Sequence, residues 1–323
     1  MEDFTRVALK CSTVVGLAWL TYQLYGFASF IKVHTSEGSL SRYNKPGTTE
    51  QSQRSWALVT GASDGIGKGF VEELCRRGFN IVLHGRNEKK LEGVRQELLK
   101  QWPNLQTRLL ILDAGKIAAE AGKLEAAVAQ LKSLKITVLI NNVGGSGGSK
   151  TWADLDQYTS DEVSMWIDVN ARFPVEITRA LLPQLRENGP VLVLNVGSIA
   201  GELPAPYLTV YSGCKAFNKT WSRGLSVELL ARKTDAEVIC LLVGTVSSGS
   251  EPRDINWACP SSEVFARSAL RKVGCGRTVV YGYWAHELQL WFASVMPTRL
   301  VDWALIQLAG AERSKEQARK KTL

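Results

Sequence analysis

From Trp56 onward the chain alternates short apolar runs with stretches of helical period. The runs WALVT (56–60), NIVLH (80–84), RLLILD (108–113), ITVLI (136–140), VLVLNV (191–196), EVICLLV (237–243) and TVVYG (278–282) read as strands. Between them, residues 66–78, 88–102, about 117–134, 161–187 and 211–231 carry helical patterns. Continuous apolar strands alternating with helices predict a Rossmann-type, doubly wound parallel sheet of about seven strands, an α/β fold covered on both faces. Ligands on such sheets sit at the carboxyl ends of the strands. No internal repeat is visible.

The two ends depart from that pattern. Residues 11–31 form an uncharged run bracketed by Lys10 and Lys32. As a helix the run rises about 30 Å, enough to cross the hydrocarbon core. It is longer than the apolar core of a signal peptide, and Glu2 and Asp3 dilute the positive start, so residues 1–34 read as an uncleaved transmembrane anchor. Similar flanking charges leave its orientation open. Residues 35–55, rich in Ser, Thr, Gln, Gly and Pro, read as a polar linker to a domain spanning 56–282. Beyond it, Trp284, Leu288, Trp291 and Val295 share one helical stripe, Pro297 breaks it, and 300–308 is again apolar around Trp303. Residues 283–323 therefore read as amphipathic helices with a basic tail. They either pack on the domain or lie at a membrane interface, where Trp favours the headgroup level. Lys320 and Lys321 resemble a dilysine retrieval signal of endoplasmic-reticulum membrane proteins, which faces the cytosol; alone, a basic tail is a solvated end, but together with an N-terminal anchor the retrieval signal is the better reading.

Composition narrows the chemistry. The 323 residues are 45% hydrophobic and 22% charged, with net charge +8. That charge fits an anionic ligand, an anionic membrane or simply a basic surface. No basic stripe carries interleaved aromatics, so nucleic acid is not expected. Six cysteines without paired spacing and three histidines argue against zinc and for reduced, cytosol-facing thiols.

TGASDGIGKG follows the first strand and opens the first helix, with Gly61, Gly65 and Gly67 in the spacing of a dinucleotide turn. Glycines there let the backbone turn tightly and approach a pyrophosphate, whose charge the helix N-terminus stabilises. The second strand ends in HGRN, without the carboxylate that would bind a ribose 2′-OH. Glu88 lies late for that role. Arg86 offers a guanidinium suited to a 2′-phosphate, with Lys90 and Lys68 as weaker helpers, which predicts NADPH over NADH. In VYSGCKAF, Tyr211 and Lys215 lie on one helical face. By themselves they fit either a packed aromatic beside a lysine or an acid used in chemistry.

Taken together, 55–282 resembles the classical short-chain dehydrogenase/reductase family. Asp113-Ala114 resembles the pair that meets the adenine, and NNVG (141–144) the family's NNAG. Asn170, Ser198, Tyr211 and Lys215 match its catalytic Asn, Ser and YxxxK, and VGTVSS (243–248) matches its cofactor clamp. Val143, Val243 and Ser248 stand where the family has Ala, Pro and Thr. The resemblance implies that Gly61, Ser63, Asp64, Gly65, Ile66, Gly67, Arg86, Lys90, Asp113, Asn142, Val246 and Ser248 hold NADPH, together with Tyr211 and Lys215. Tyr211 then protonates a ketone and Ser198 hydrogen-bonds its oxygen. Lys215 lowers the phenol pKa and holds the nicotinamide ribose, and Asn170 orders a relaying water.

The anchor, the stretch SALRKVGCGRTVVYGYWAHELQ and the basic tail resemble one membrane-bound subgroup, the very-long-chain 3-oxoacyl-CoA reductases, also described as type 12 17-beta-hydroxysteroid dehydrogenases. That subgroup implies reduction of 3-oxoacyl-CoA in fatty acid elongation at the endoplasmic reticulum, with a homodimer and other elongation-cycle enzymes as partners. Steroid or other lipophilic ketone reduction is the alternative within the class; a non-catalytic nucleotide-binding scaffold is the alternative outside it. A substrate lid is expected over 248–276, where Arg253, Arg267, Arg271 and Lys272 either meet CoA phosphates or form a solvated face.

Overall fold

The computed structural model describes residues 2–44, 54–120, 122–146, 151–249 and 251–321. Its centre is a parallel sheet of β1 (Trp56–Thr60), β2 (Asn80–Gly85), β3 (Thr107–Ile111), β4 (Ile136–Asn141), β5 (Val191–Val196), β6 (Ala236–Leu242) and β7 (Val279–Tyr281). The spatial order is β3-β2-β1-β4-β5-β6-β7. Strand order reverses between β1 and β4, which leaves a crevice at their carboxyl ends. The central strands are buried along their whole length, as their apolar sequences require.

Helices α2 (Gly65–Arg76), α3 (Glu88–Gln101) and α8 (Ser262–Leu270) cover one face; α4 (Lys123–Ala129), α6 (Phe173–Asn188) and α7 (Thr209–Ala231) cover the other. The helix expected over 117–134 shrinks to α4, because Gly122 takes φ +85 immediately before it. The helix expected over 161–187 is α5 (Ser160–Ile167), a π-turn over Asp168–Arg172, and then α6.

The expected linker is in part structural. Leu40 and Tyr43 are buried in the core, Thr137 Oγ1 donates to the Tyr43 carbonyl at 2.7 Å, and the Tyr43 hydroxyl donates to Glu237 at 2.6 Å. Its residues 45–53 lie outside the described ones.

The first helix, α1 (Glu2–Thr35), is long and apolar enough over Phe4–Thr35 to cross a membrane, and its most apolar 18-residue window is not buried by the rest of the chain. Its foot docks on the domain. His34 pairs with Glu287 at 2.6 Å, Lys272 Nζ donates to the Val33 carbonyl at 3.1 Å, and Arg277 bonds Ser29. Helices α9 (Trp284–Val295) and α10 (Thr298–Lys321) fold back toward the carboxyl ends of the strands.

Candidate active site

The glycine turn is shaped by what a side chain would strike. Gly61 and Gly65 take φ +66 and +55, where only glycine is comfortable. A Cβ on Gly67 would drive into the Gly61 carbonyl and lie 2.6 Å from Asn142 Nδ2. Asp64 caps α2, its carboxylate accepting from Gly65 N at 2.6 Å. The N-terminus of α2 thus lies against a floor of backbone from Gly61 and the 142–143 turn. That cradle fits a dinucleotide pyrophosphate.

A cavity of about 1310 Å³ runs from Gly61, Ser63, Arg86 and Asp113 to Tyr211. A smaller one of about 270 Å³ continues past Ile66, Asn142, Ser198, Lys215, Val246 and Ser248. The helpers proposed for Arg86 lie elsewhere: Lys68 Nζ is tied to Glu97 at 2.6 Å, and the exposed Lys90 lines neither cavity.

Ser198, Tyr211 and Lys215 meet at the end of β5. The Ser198 hydroxyl lies close enough to the Tyr211 phenol to act on its pKa. Lys215 is 4% exposed; its Nζ donates to the Val196 carbonyl at 2.9 Å and lies 5.5 Å from the Tyr211 ring centroid. Burial pushes the phenol pKa up, with the nearby Ser198 hydroxyl pulling it down. Burial lowers Lys215 from 10.5 to about 8. This corrects the expectation that Lys215 acidifies the phenol. Both charged forms lose hydration together, and the ammonium sits over the ring. Tyr211 is therefore a neutral, proton-bearing acid across the physiological range, and Lys215 carries most of its charge at pH 7 and loses it within reach of neutrality.

Asn170 sits on the π-turn, a feature common at functional sites. Its Nδ2 donates to Gly145 O at 2.8 Å and its Oδ1 accepts from Gly145 N at 2.9 Å. Pro174 follows four residues on and has no N–H to give the Asn170 carbonyl. That carbonyl instead accepts from Asn218 Nδ2 at 2.8 Å. Behind it runs a buried chain: Asn218 O accepts from Ser222, Ser222 accepts from Asn195, and Asn195 accepts from Asn141. This chain crosses from the sheet to α7 and fixes Asn170 from behind. A Cβ on Gly144 would lie 3.1 Å from Asn170 Oδ1 and 3.2 Å from Lys215 Nζ, so glycine gives the two polar groups room.

Sequence reasoning missed Asn195, Asn218, Ser222 and Thr178, although a lone Asn inside the apolar run VLVLNV signals a buried polar contact. It also missed His286, which is fully buried. Gly244 N donates to its Nδ1 at 3.1 Å, and its Nε2 donates to the Thr245 carbonyl at 3.1 Å. Burial lowers its pKa, so a neutral ring braces the clamp segment 243–248.

The expected lid is smaller than its sequence range. Residues 251–259 border the cleft, but α8 packs its Ala266 against Gly69 of α2, away from it. Arg267 lies 3.7 Å from Glu73, and Lys272 is buried under the foot of α1. The Arg271 carbonyl packs against Gly38. Of the four basic residues only Arg253 lines the cavity, paired with Glu251 and Glu312 at 2.5 and 2.9 Å. The charge pattern marked these side chains without showing which way α8 faces.

A short-chain dehydrogenase family model matches residues 55–255, the segment that builds this site. The chain belongs to the short-chain dehydrogenase family. It is an oxidoreductase of that family, and its sheet, turn and Ser–Tyr–Lys cluster are the parts the resemblance predicted. Among curated relatives, a very-long-chain 3-oxoacyl-CoA reductase of Neurospora crassa is 33% identical over 289 residues, covering 88% of this chain and 81% of the relative. The reductase of the same name in Kluyveromyces lactis is 34% identical over 296 residues, covering 86% and 84%. Among solved structures, a 7beta-hydroxysteroid dehydrogenase aligns with TM-score 0.68 at 19% identity, covering 80% of this chain and 98% of that one. An NADPH-bound short-chain oxidoreductase of Pseudomonas aeruginosa aligns with TM-score 0.54 at 26% identity, covering 61% and 73%. In this short-chain dehydrogenase no cluster of three or more metal-ligating side chains occurs among the described residues, and all six cysteines are free.

Proposed function

We propose that this protein reduces the 3-keto group of a long-chain 3-oxoacyl-CoA to the 3-hydroxyl with NADPH, in very-long-chain fatty acid elongation. The observation that carries the reading is the Ser198–Tyr211–Lys215 cluster at the end of the dinucleotide cleft, together with relatives of that name along most of the chain. Bound NADPH supplies the hydride. Ser198 and Tyr211 hold the ketone oxygen between two hydroxyls, and Tyr211 delivers the proton as negative charge builds there. The Lys215 ammonium, held by the Val196 carbonyl, offers its charge to the nicotinamide end. Arg86 selects the 2′-phosphate at the other end.

Membrane association is supported by α1 and by the exposed aromatics Trp291, Phe292 and Trp303 on α9 and α10. The tail Lys320 and Lys321, whose side chains lie outside the described ones, favour the endoplasmic reticulum with the catalytic domain in the cytosol. A second copy of the chain would cover the exposed Val227 and Leu230 of α7.

One observation favours a second reading, reduction of an uncharged lipophilic ketone such as a steroid. Glu251, Asp254, Glu312 and Glu316 line the cleft beside Arg253 and Lys315, so its mouth is no simple phosphate cradle. Purified protein assayed with sixteen-carbon 3-oxoacyl-CoA against a steroid ketone panel separates the two. Tyr211→Phe abolishes turnover and leaves NADPH binding intact. Full activity in that variant, or turnover of neither substrate class by the wild type, rejects the proposal.

A further inference from the structure

The cleft is walled by three loops that have no hydrogen-bonded strand to hold them: 151–158, 202–208 and 251–256. One short stretch of α10 reaches all three. Glu316 accepts from the backbone N–H groups of Trp152 at 3.0 Å and Thr151 at 3.4 Å. Arg313 forks onto Asp154, with its closer nitrogen at 2.6 Å, and its guanidinium lies 4.4 Å over the Tyr207 ring. Glu312 takes Arg253 at 2.9 Å. Ala309, one turn earlier, is 2% exposed, so this part of the helix is seated on the domain while Trp303 and Leu308 stay exposed.

The backbone of Tyr207 is unusual. It takes φ +66, the left-handed region that a bulky residue avoids. Such a conformation persists only when neighbours hold it. Here the Tyr207 carbonyl accepts from Ala153 N at 3.3 Å and from the Tyr158 hydroxyl at 3.4 Å, and Arg313 covers the ring. The next residue, Leu208, accepts Ser212 N at 2.9 Å in the first turn of α7, three positions before Tyr211. Trp152 and Leu208 both face the cleft. The contacts of α10 therefore end on two segments whose apolar side chains, Trp152 and Leu208, line the cleft.

The structure assigns to Arg313 and Glu316 a positioning role: they clasp the outer wall of the cleft, so that Trp152 and Leu208 grip an extended apolar chain on the ketone. The assignment rests on the proposed ketone reduction. It makes the C-terminal helix a determinant of chain length. A short substrate does not extend along the clasped wall of 151–158 and 207–208, none of whose residues lines the smaller cavity around Ser198 and Lys215. Arg suits the task, since only a planar guanidinium forks onto a carboxylate and stacks on a ring at once.

The test compares full-length wild type with Arg313→Ala, using sixteen-carbon 3-oxoacyl-CoA and four-carbon acetoacetyl-CoA, which carry the same head group. The clasp predicts that KM for the long substrate rises roughly tenfold while its kcat stays within about twofold. KM for acetoacetyl-CoA and Kd for NADPH hold steady. Arg313→Lys recovers only part of the loss, and Glu316→Gln repeats the effect in weaker form should Arg313→Ala fold poorly. Amide hydrogen exchange over 151–158 speeds up in each variant. Equal rises in KM for both substrates, or unchanged long-chain KM with unchanged exchange, overturn the clasp. Turnover of neither substrate by the wild type rejects the ketone reading instead, and faster or unchanged exchange then decides the clasp alone.

Discussion

Replacing Lys215 with methionine should destroy turnover and stabilise the fold at neutral pH. The side chain is 4% exposed, and burial lowers its pKa from 10.5 to about 8. Every tenfold loss of proton affinity is worth about 1.4 kcal/mol, so holding the charged amine costs the folded state about 3 kcal/mol at pH 7, where both folded and unfolded chains bind the proton. Methionine removes that cost with little change in volume. It also strands the Val196 carbonyl, which accepts from Nζ at 2.9 Å, at about 1 kcal/mol. A net gain of about 2 kcal/mol raises the Tm by roughly 4 °C. Between about pH 8 and 10.5 the unfolded chain binds more protons at this position than the folded one, so wild-type stability recovers as pH rises and the advantage of the variant shrinks. Thermal unfolding of cofactor-free protein in detergent, followed by tryptophan fluorescence at several pH values, reads both effects. A variant less stable than wild type at pH 7, or an advantage that stays flat up to about pH 10, refutes the reasoning.

In wild type, the rate of ketone reduction should fall as pH rises through about 8, where Lys215 loses its proton while Tyr211, pushed up by burial, keeps its own; a kcat/KM profile for reduction measures this. Arg86→Ala should raise KM for NADPH roughly tenfold and leave that for NADH unchanged, since the guanidinium at the cleft edge answers the 2′-phosphate alone. His286→Phe keeps the ring's bulk but leaves Gly244 N and Thr245 O without partners; KM for NADPH should rise several-fold with a stability loss of about 2 kcal/mol, seen by fluorescence titration and thermal unfolding. Pro174→Ala restores an N–H that competes with Asn218 for the Asn170 carbonyl. It should lower kcat roughly tenfold at unchanged circular dichroism and NADPH affinity.

The strands and the glycine turn were legible because their signals are local. Four successive apolar residues, or a glycine where a Cβ would strike a carbonyl, announce themselves within a few positions. The proposed catalytic residues Ser198, Tyr211 and Lys215 came from spacing and resemblance, and the fold brings them to one place. What escaped were arrangements made by residues far apart. Asn195 and Asn218 gain meaning only when β5 and α7 pack together. The π-turn had a local signal, Pro174, but its consequence depends on which side chain takes the freed carbonyl. Charge alone left Arg267 and Lys272 as either phosphate contacts or a solvated face. A helix has two faces, and α8 turns Arg267 toward α2, while Lys272, just past its end, lies under the foot of α1.

Membrane and cleft are joined at that foot. Lys272, Arg277 and Glu287 come from the segment after the cofactor clamp, and all three engage the last two turns of α1. Glu287 also lies one position after His286, whose ring braces Gly244 and Thr245 at the dinucleotide site. Because His34 and Glu287 are both largely buried at their contact, the anchor does not hang from a slack tether. Its foot and the cofactor clamp share one turn of α9. If α1 spans a bilayer, the direction in which it leaves the domain sets which side of the cleft faces the membrane. The exposed Trp291 and Trp303, on helices that also wall the cleft through Gln289 and Glu312, then place the route of a lipophilic ketone at the lipid surface.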